Sequence, residues 1–407
     1  MNKLRLETVS NIGDYIKILR NGEFIIDDNS YQKGVKSLYF KINPELFSKD
    51  IKSIEILPNS RIFKRLKAKT HNRKAHANRM PLHLKAMLSE FRKLEMDYKG
   101  SYTWINKNAT ANKKTHYIQS IKNIEDKRLR YFKRNKTNKR LDTNLTNMKS
   151  ELRQFIKGKY VSIDLKNSQP FLLSMVLKNI IHKGSSLCCL LQEKELTKTF
   201  GKKRLQKVLK THQNREKSEM VSLCLYNESA LNGNLYDDFI QQYSESLTRD
   251  EVKDIIFRVL FSKNVCKNKF IPFQEDKKKF KKVFPIVYES VKELKDRDNR
   301  TLPIYLQRLE SYLFIDCIAK ELVQEGIVPF TIHDSVIVKE TDIKLTLKII
   351  NNVFMQELGI VPALETKKLM PITEDKVNTK QVCNHVKQHN NNTLWHLIQQ
   401  KESKQGA

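Results

Sequence analysis

The chain has 407 residues, 39% of them apolar and 30% charged, with only 11 Gly and 10 Pro; that balance supports a buried core and excludes collagen-like and low-complexity classes, and the length predicts two or three domains. The 76 Lys and Arg against 45 Asp and Glu leave a formal charge of +31. An excess that large points to a polyanionic partner, most simply nucleic acid, because each cation set near a phosphate releases a condensed counterion.

Residues 1–60 carry short alternating runs, such as 51–57 (IKSIEIL), that read as strands and turns of an N-terminal region. Residues 61–79 hold eight Lys or Arg and no acid. A second basic stretch covers 127–140, with Tyr131 and Phe132 inside it. Either run is a solvated face or a phosphate-tracking surface; the whole-chain charge favours the second. Between them, Leu82, Leu84, Met87, Leu88 and Phe91 recur at near-helical spacing and predict a helix over 81–95.

Residues 160–165 (YVSIDL) alternate like a strand, and Asn167, Ser168 and Pro170 then signal a helix start. Residues 171–181 follow as a largely buried helix, and 191–300 are mostly helical in pattern. An amphipathic helix over 301–326 stops at Gly326. Residues 328–339 (VPFTIHDSVIVK) predict a β-hairpin with its tip at His333 and Asp334. The final 35 or so residues, rich in Asn, Gln and Lys, read as a loosely held tail.

The six cysteines (Cys188, Cys189, Cys224, Cys266, Cys317 and Cys383) form no CxxC pair, which excludes a zinc ribbon and a disulfide scaffold and fits a reducing cytosol. His385 and His389 have helix-clamp spacing but stand in the polar tail. Cys188 and Cys189 read as core, and 277–282 (KKKFKK) as a solvated face. The start, MNKLRLETV, lacks a signal-peptide run, and 171–181 is too short and too polar to span a bilayer. A soluble, cytoplasmic protein without a membrane partner is expected.

Asp164 stands at a strand end before a turn, and Asp334 at a hairpin tip between His333 and Ser335. Each alone reads as a turn aspartate. Converging, they would form a site for two Mg2+ ions, whose hard character suits carboxylate oxygens. Arg249, Lys253, Phe257 and Phe261 recur every fourth residue and so line one slowly turning stripe of a helix, distinct from the apolar stripe of Val252, Ile255, Ile256, Val259 and Leu260. Two cations suit a triphosphate and a ring suits a base; the alternative is an ordinary surface helix whose rings are core.

The Arg-x3-Lys-x3-Phe-x3-Phe stripe resembles the fingers-helix motif of the family A DNA polymerases and the related single-subunit phage-type RNA polymerases, with Phe261 where that superfamily usually has Tyr. VSIDLKNSQ and TIHDSVIV resemble its first and last palm motifs, in the right order and 170 positions apart between the two aspartates. KRLDTNLTN (139–147) is similar to the segment that meets the primer–template minor groove, and LQRLES (306–311) to the helix with a template-facing Gln. The resemblance covers residues 139–340, half the chain.

The resemblance implies an α+β right-hand architecture: an N-terminal region 1–60, a basic thumb-like region 61–150, a palm split between 151–190 and 301–370, fingers over 191–300, and a flexible tail 371–407. It implies that Asp164 and Asp334, with the Leu165 carbonyl, hold two Mg2+ ions. Arg249 and Lys253 would bind the incoming nucleoside triphosphate, Phe257 and Phe261 frame the nascent base pair, and His333 contact the primer end. Arg140 and Gln307 would read the duplex by shape; Lys64, Arg65 and Arg73, outside the resemblance, are expected on its phosphates from the charge of their run. The implied activity is template-directed DNA synthesis on a primer–template without room for a proofreading domain ahead of Asp164. The alternatives are an RNA polymerase or primase of the same superfamily, a nuclease using the same carboxylates, and a non-catalytic nucleic-acid-binding protein.

Departures bear on substrate choice. Ser262 replaces the Gly usual after the fingers aromatic, and Ser335 the acid that often follows the hairpin Asp. The turn after Asp164 is longer and holds Pro170, and Gln169 and Asn167 are the candidates for contact with the sugar. Oligomeric state and DNA or RNA template stay open.

If the charge excess serves phosphate binding, affinity for a labelled primer–template, read by fluorescence anisotropy, should drop about a thousandfold between 50 and 200 mM salt, as about six phosphate contacts would dictate. A flat response would contradict it.

Overall fold

The computed structural model describes residues 12–27, 40–43, 80–182, 187–213, 217–243, 246–265, 270–296 and 298–369. The strand pattern over 51–57, the basic run 61–79 with Lys64, Arg65 and Arg73, and the tail 371–407 lie outside these. The chain divides into two compact units, residues 1–80 and 81–407. In the first, helix Ile12–Asn21 leads into strand β1 (Ile25–Asp27), which pairs antiparallel with β2 (Phe40–Ile42).

The second unit is predominantly helical with small antiparallel sheets, an α+β chain. Three helices come first: Leu82–Lys93, as the apolar spacing predicts, then Tyr98–Asn108 and Ala111–Glu125. A short ribbon pairs β3 (Phe132–Arg134) with β4 (Leu141–Thr143). Strand β5 (Tyr160–Leu165) then enters a four-stranded sheet of order β6–β7–β5–β8, with β6 Phe330–Ile332, β7 Ser335–Lys339 and β8 Leu364–Leu369. The alternation in β5 is functional in packing: Val161, Ile163 and Leu165 are buried, while Asp164 keeps partial exposure.

One hydrophobic cluster ties the sheet to the preceding helices. Phe330, Ile332 and Ile337 pack with Phe91, Met96, Ile105, Ile121, Leu152 and Phe155. Helix Ser168–Ile181 is buried nearly all round; Pro170 is its third residue, where a missing N–H costs nothing. Its Phe171 and the Phe314 ring both meet Phe354 of helix Ile343–Leu358 edge-on, at 6.2 and 6.1 Å.

The described residues within 193–294 fold mostly as helices, including Leu235–Gln242, Arg249–Phe261, Gln274–Val283 and Pro285–Leu294. Gly233 links two of them at φ +76°, and a Cβ there would fall 2.6 Å from the Lys166 side chain. Glycine therefore lets this link close against the turn that follows Asp164. The amphipathic pattern over 301–326 folds as helix Thr301–Ser311, a π segment Tyr312–Ile318 and helix Ala319–Gln324. No described helix is long and apolar enough to cross a membrane.

Two readings need correction. Within 277–282, Lys277 and Phe280 are buried rather than solvated, and Lys277 Nζ donates to the Lys263 carbonyl. Of the cysteine pair, Cys188 is core but Cys189 is exposed. Lys295 is also buried: its Nζ donates to the carbonyls of Val259 and of Ser262, the latter at 2.8 Å, and so fastens the C-terminal end of helix Arg249–Phe261.

Burial, aided by Lys277, lowers the Lys295 pKa from 10.5 to about 7. The unfolded chain then holds a proton that the folded chain releases between pH 7 and 10.5, so this group makes stability rise with pH across that window and contributes no slope below it. Urea midpoints of wild type and Lys295→Met at pH 6.5, 8 and 9.5 should diverge in slope, with the variant flatter.

Candidate active site

The ladder between β5 and β7 sets Asp164 opposite Ser335, and the Leu165 N–H donates to the Asp334 carbonyl at 3.0 Å. Asp334, the turn residue just before β7, is thereby brought to the end of β5 that carries Asp164, 170 positions away. Asp164 Oδ1 accepts from Ser162 Oγ at 2.7 Å, and Lys367 Nζ of β8 stands 3.7 Å from Oδ2. Burial raises the Asp334 pKa, and the Asp164 charge adds to it; Arg140 and Ser168 pull the other way. Two like charges held together in a shielded place call for a cation.

A left-handed residue stands near each aspartate, Asn167 three residues after Asp164 and His333 directly before Asp334. Asn167 has φ +51° and His333 φ +54°, unusual for side chains with a Cβ. Asn167 Nδ2 and His333 Nδ1 are buried and meet no partner among the described residues. Burial, with Arg140 and Arg153 nearby, lowers the His333 pKa to about 4 against the opposing pull of Asp142, so the ring is neutral at physiological pH.

Glu310, in helix Thr301–Ser311, is the hub of this region; by pattern alone it is one more acid of an amphipathic helix, three residues from Gln307. It is 1% exposed. Arg140 grips it with Nε and Nη2, both at 2.8 Å, and Gln169 Nε2 donates to the same carboxylate. Burial raises its pKa to about 7, against Arg140 and with Asp334 adding. The loop between β3 and β4 lies along this helix: Asn138 Nδ2 donates to Gln307 Oε1 at 3.0 Å, Arg308 Nε to the Thr137 carbonyl at 2.7 Å, and Arg134 pairs with Asp316 at 2.7 Å. Arg140 and Gln307 thus have partners inside the protein, while Lys133, Lys136 and Lys139 are exposed on the same ribbon.

Helix Arg249–Phe261 opens with a capping box between Thr248 and Glu251. Val252, Ile255, Ile256, Val259 and Leu260 are buried, as their stripe predicts. Arg249 pairs with Asp237 at 3.2 Å and stands 5.4 Å over the Tyr236 ring. Lys253 is exposed, and the half-buried rings of Phe257 and Phe261 stack on each other at 5.5 Å and 20°. Burial raises the Tyr236 pKa, Arg249 opposes and Asp334 reinforces. Tyr236 had no sequence signal.

Among the described residues no three His, Cys, Asp or Glu side chains converge as a metal cage. Mg2+ does not require one: it is held by one or two carboxylates, water and substrate phosphates. The Asp164–Asp334 pair, with its mutual repulsion, fits that ion.

No protein-family model matches the chain. No curated protein matches it. Among solved structures, the chain is similar to the POL domain of Pol1 from M. smegmatis in complex with DNA primer-template and dNTP, at 10% identity and a TM-score of 0.37; the likeness covers 67% of this chain and 55% of that one.

Removing one member of a buried ion pair strands the other. Arg140→Leu should cost about 3 kcal/mol at pH 8 in urea unfolding, and the double variant Arg140→Leu/Glu310→Leu should regain most of it.

Proposed function

We propose that the chain is a template-directed DNA polymerase, with a palm formed by 151–190 and 301–370, fingers by 191–300 and a basic thumb-like region by 61–150. The observation that supports it most is the strand pairing that sets Asp164 beside Asp334, within electrostatic reach of the ring on which Arg249 lies. A nuclease has no need of that helix.

In this reading Asp164 and Asp334, with the Leu165 carbonyl, would hold two Mg2+ ions, a group that would supply activation of the primer 3′-hydroxyl and neutralisation of the leaving pyrophosphate. Arg249 and Lys253 take the triphosphate of the incoming nucleotide, and Phe257 and Phe261 offer ring faces to the base. Neutral His333 offers the primer end a hydrogen bond without adding charge. The 3′-oxygen attacks the α-phosphorus in line, and the bond to the pyrophosphate oxygen breaks; positioning supplies most of the acceleration. Exposed Lys133, Lys136 and Lys139 are available to duplex phosphates, with Arg140 and Gln307 shaping their ribbon from within.

Primer extension with Mg2+, run with dNTPs and with rNTPs on DNA and RNA templates, tests this. Wild type should extend a DNA primer with dNTPs; Asp164→Asn and Asp334→Asn should each lose at least a thousandfold in rate, and Arg249→Ala should raise KM. No extension by wild type in any of the four combinations would defeat the proposal.

A further inference from the structure

Lys295 and Lys277 are 3% and 4% exposed, a depth at which a lysine amine must be bound. Both reach one short stretch of backbone. Lys295 Nζ donates to the Val259 and Ser262 carbonyls, and Lys277 Nζ to the Lys263 carbonyl. Asn264 Nδ2 adds a bond to the Lys292 carbonyl at 2.8 Å. A helix C-terminus leaves carbonyls without intrahelical partners, and the three captured here bracket Phe261, whose ring stacks on Phe257. The other end of the helix is held differently. Arg249 and its partner Asp237 are each more than half exposed, and Lys253 is exposed. The helix is thus pinned at its rings, while its cations stand in solvent.

We propose that Lys295 and Lys277 are positioning residues that fix the last turn of helix Arg249–Phe261, and with it the set of the Phe261 ring against the nascent base pair. This deepens the polymerase reading and rests on it. The hold is sensitive to acid. A neutral amine has two N–H groups for two carbonyls; protonation brings a third N–H and a charge into a buried place. Of the charged groups on the elements packed around Lys295, Asp254 and Asp276 are bound to Arg258, at 3.2 and 2.8 Å, and Glu293 to Lys207 at 3.1 Å. Lys292 pairs with Glu289 at 3.4 Å, and Lys263 is exposed. Lys277 acts on Lys295 and repels it. A helix C-terminus favours a cation, yet burial first and Lys277 second outweigh this and hold the Lys295 pKa at about 7. By linkage, acid favours any state in which Lys295 reaches water, and so loosens the turn.

The test is the ratio of kcat/KM for a matched dNTP to that for a T·T mismatch, whose bases do not titrate between pH 6 and 8, in single additions at both pH values. The wild-type ratio should be about tenfold higher at pH 8 than at pH 6, on the scale of one hydrogen bond. Lys295→Met should show the low ratio at both, and Lys277→Met, which removes the repulsion, should move the wild-type fall to higher pH. Each ratio is internal to one variant, so partial loss of folded enzyme cancels. A second measurement needs no activity: protection of the Ser262 amide, which donates to the Arg258 carbonyl, should fall about tenfold in Lys295→Met by hydrogen exchange at pH 8. Unchanged protection would overturn the fastening. Lower protection with ratios that match wild type at both pH values would leave the lysines merely structural and overturn the positioning role. Failure of wild type to extend with any nucleotide would overturn the polymerase reading and the positioning role with it.

Discussion

The repulsion between Asp164 and Asp334 is the constraint around which the second unit is arranged. Strand pairing between β5 and β7 sets Asp164 opposite Ser335 and so brings Asp334, one residue earlier, close to it. Burial raises the Asp334 pKa, and the Asp164 charge raises it further. A fold that built such a pair without a use for it would give up stability for nothing, since either apolar or amide side chains would fit the same turns more cheaply. The surrounding cations are therefore informative. Lys367 touches Asp164, and Arg140 is turned to Glu310 while still acting on Asp334 at a distance. Neither side chain is placed to cancel both charges at once, and a bridging dication would.

A second layer of organisation follows from Glu310. Helix Thr301–Ser311 reaches the carboxylates on one side and the β3–β4 ribbon on the other. Arg134, Asn138 and Arg140 are all spent on this helix and its π segment rather than on solvent. Much of the cationic look of residues 127–140 is therefore structural, and the open charge is carried by lysines.

The site elements that repeat at short range were legible in the sequence. The alternation of YVSIDL, the hairpin around His333 and Asp334, and the separate stripes of Arg249–Phe261 each follow from local periodicity, and each reappears in the structure. What escaped were features decided by tertiary neighbours. Glu310 looks like any acid on an amphipathic helix until Arg140 and Gln169 close over it. Lys277 reads as a surface lysine because nothing in its own segment announces the carbonyl that captures it, and the burial of Lys295 has no local signal either. The π segment leaves the apolar pattern of 301–326 intact while changing which side chains share a face, so periodicity passes over it.

The left-handed backbone at Asn167 and His333 has an evolutionary corollary. Only a few residue types tolerate that conformation without strain, asparagine and histidine among them, and β-branched ones are shut out. Drift at these two corners is thus filtered by steric fit before any question of catalysis arises. A lineage that abandoned the chemistry would still keep both corners for as long as it kept the sheet.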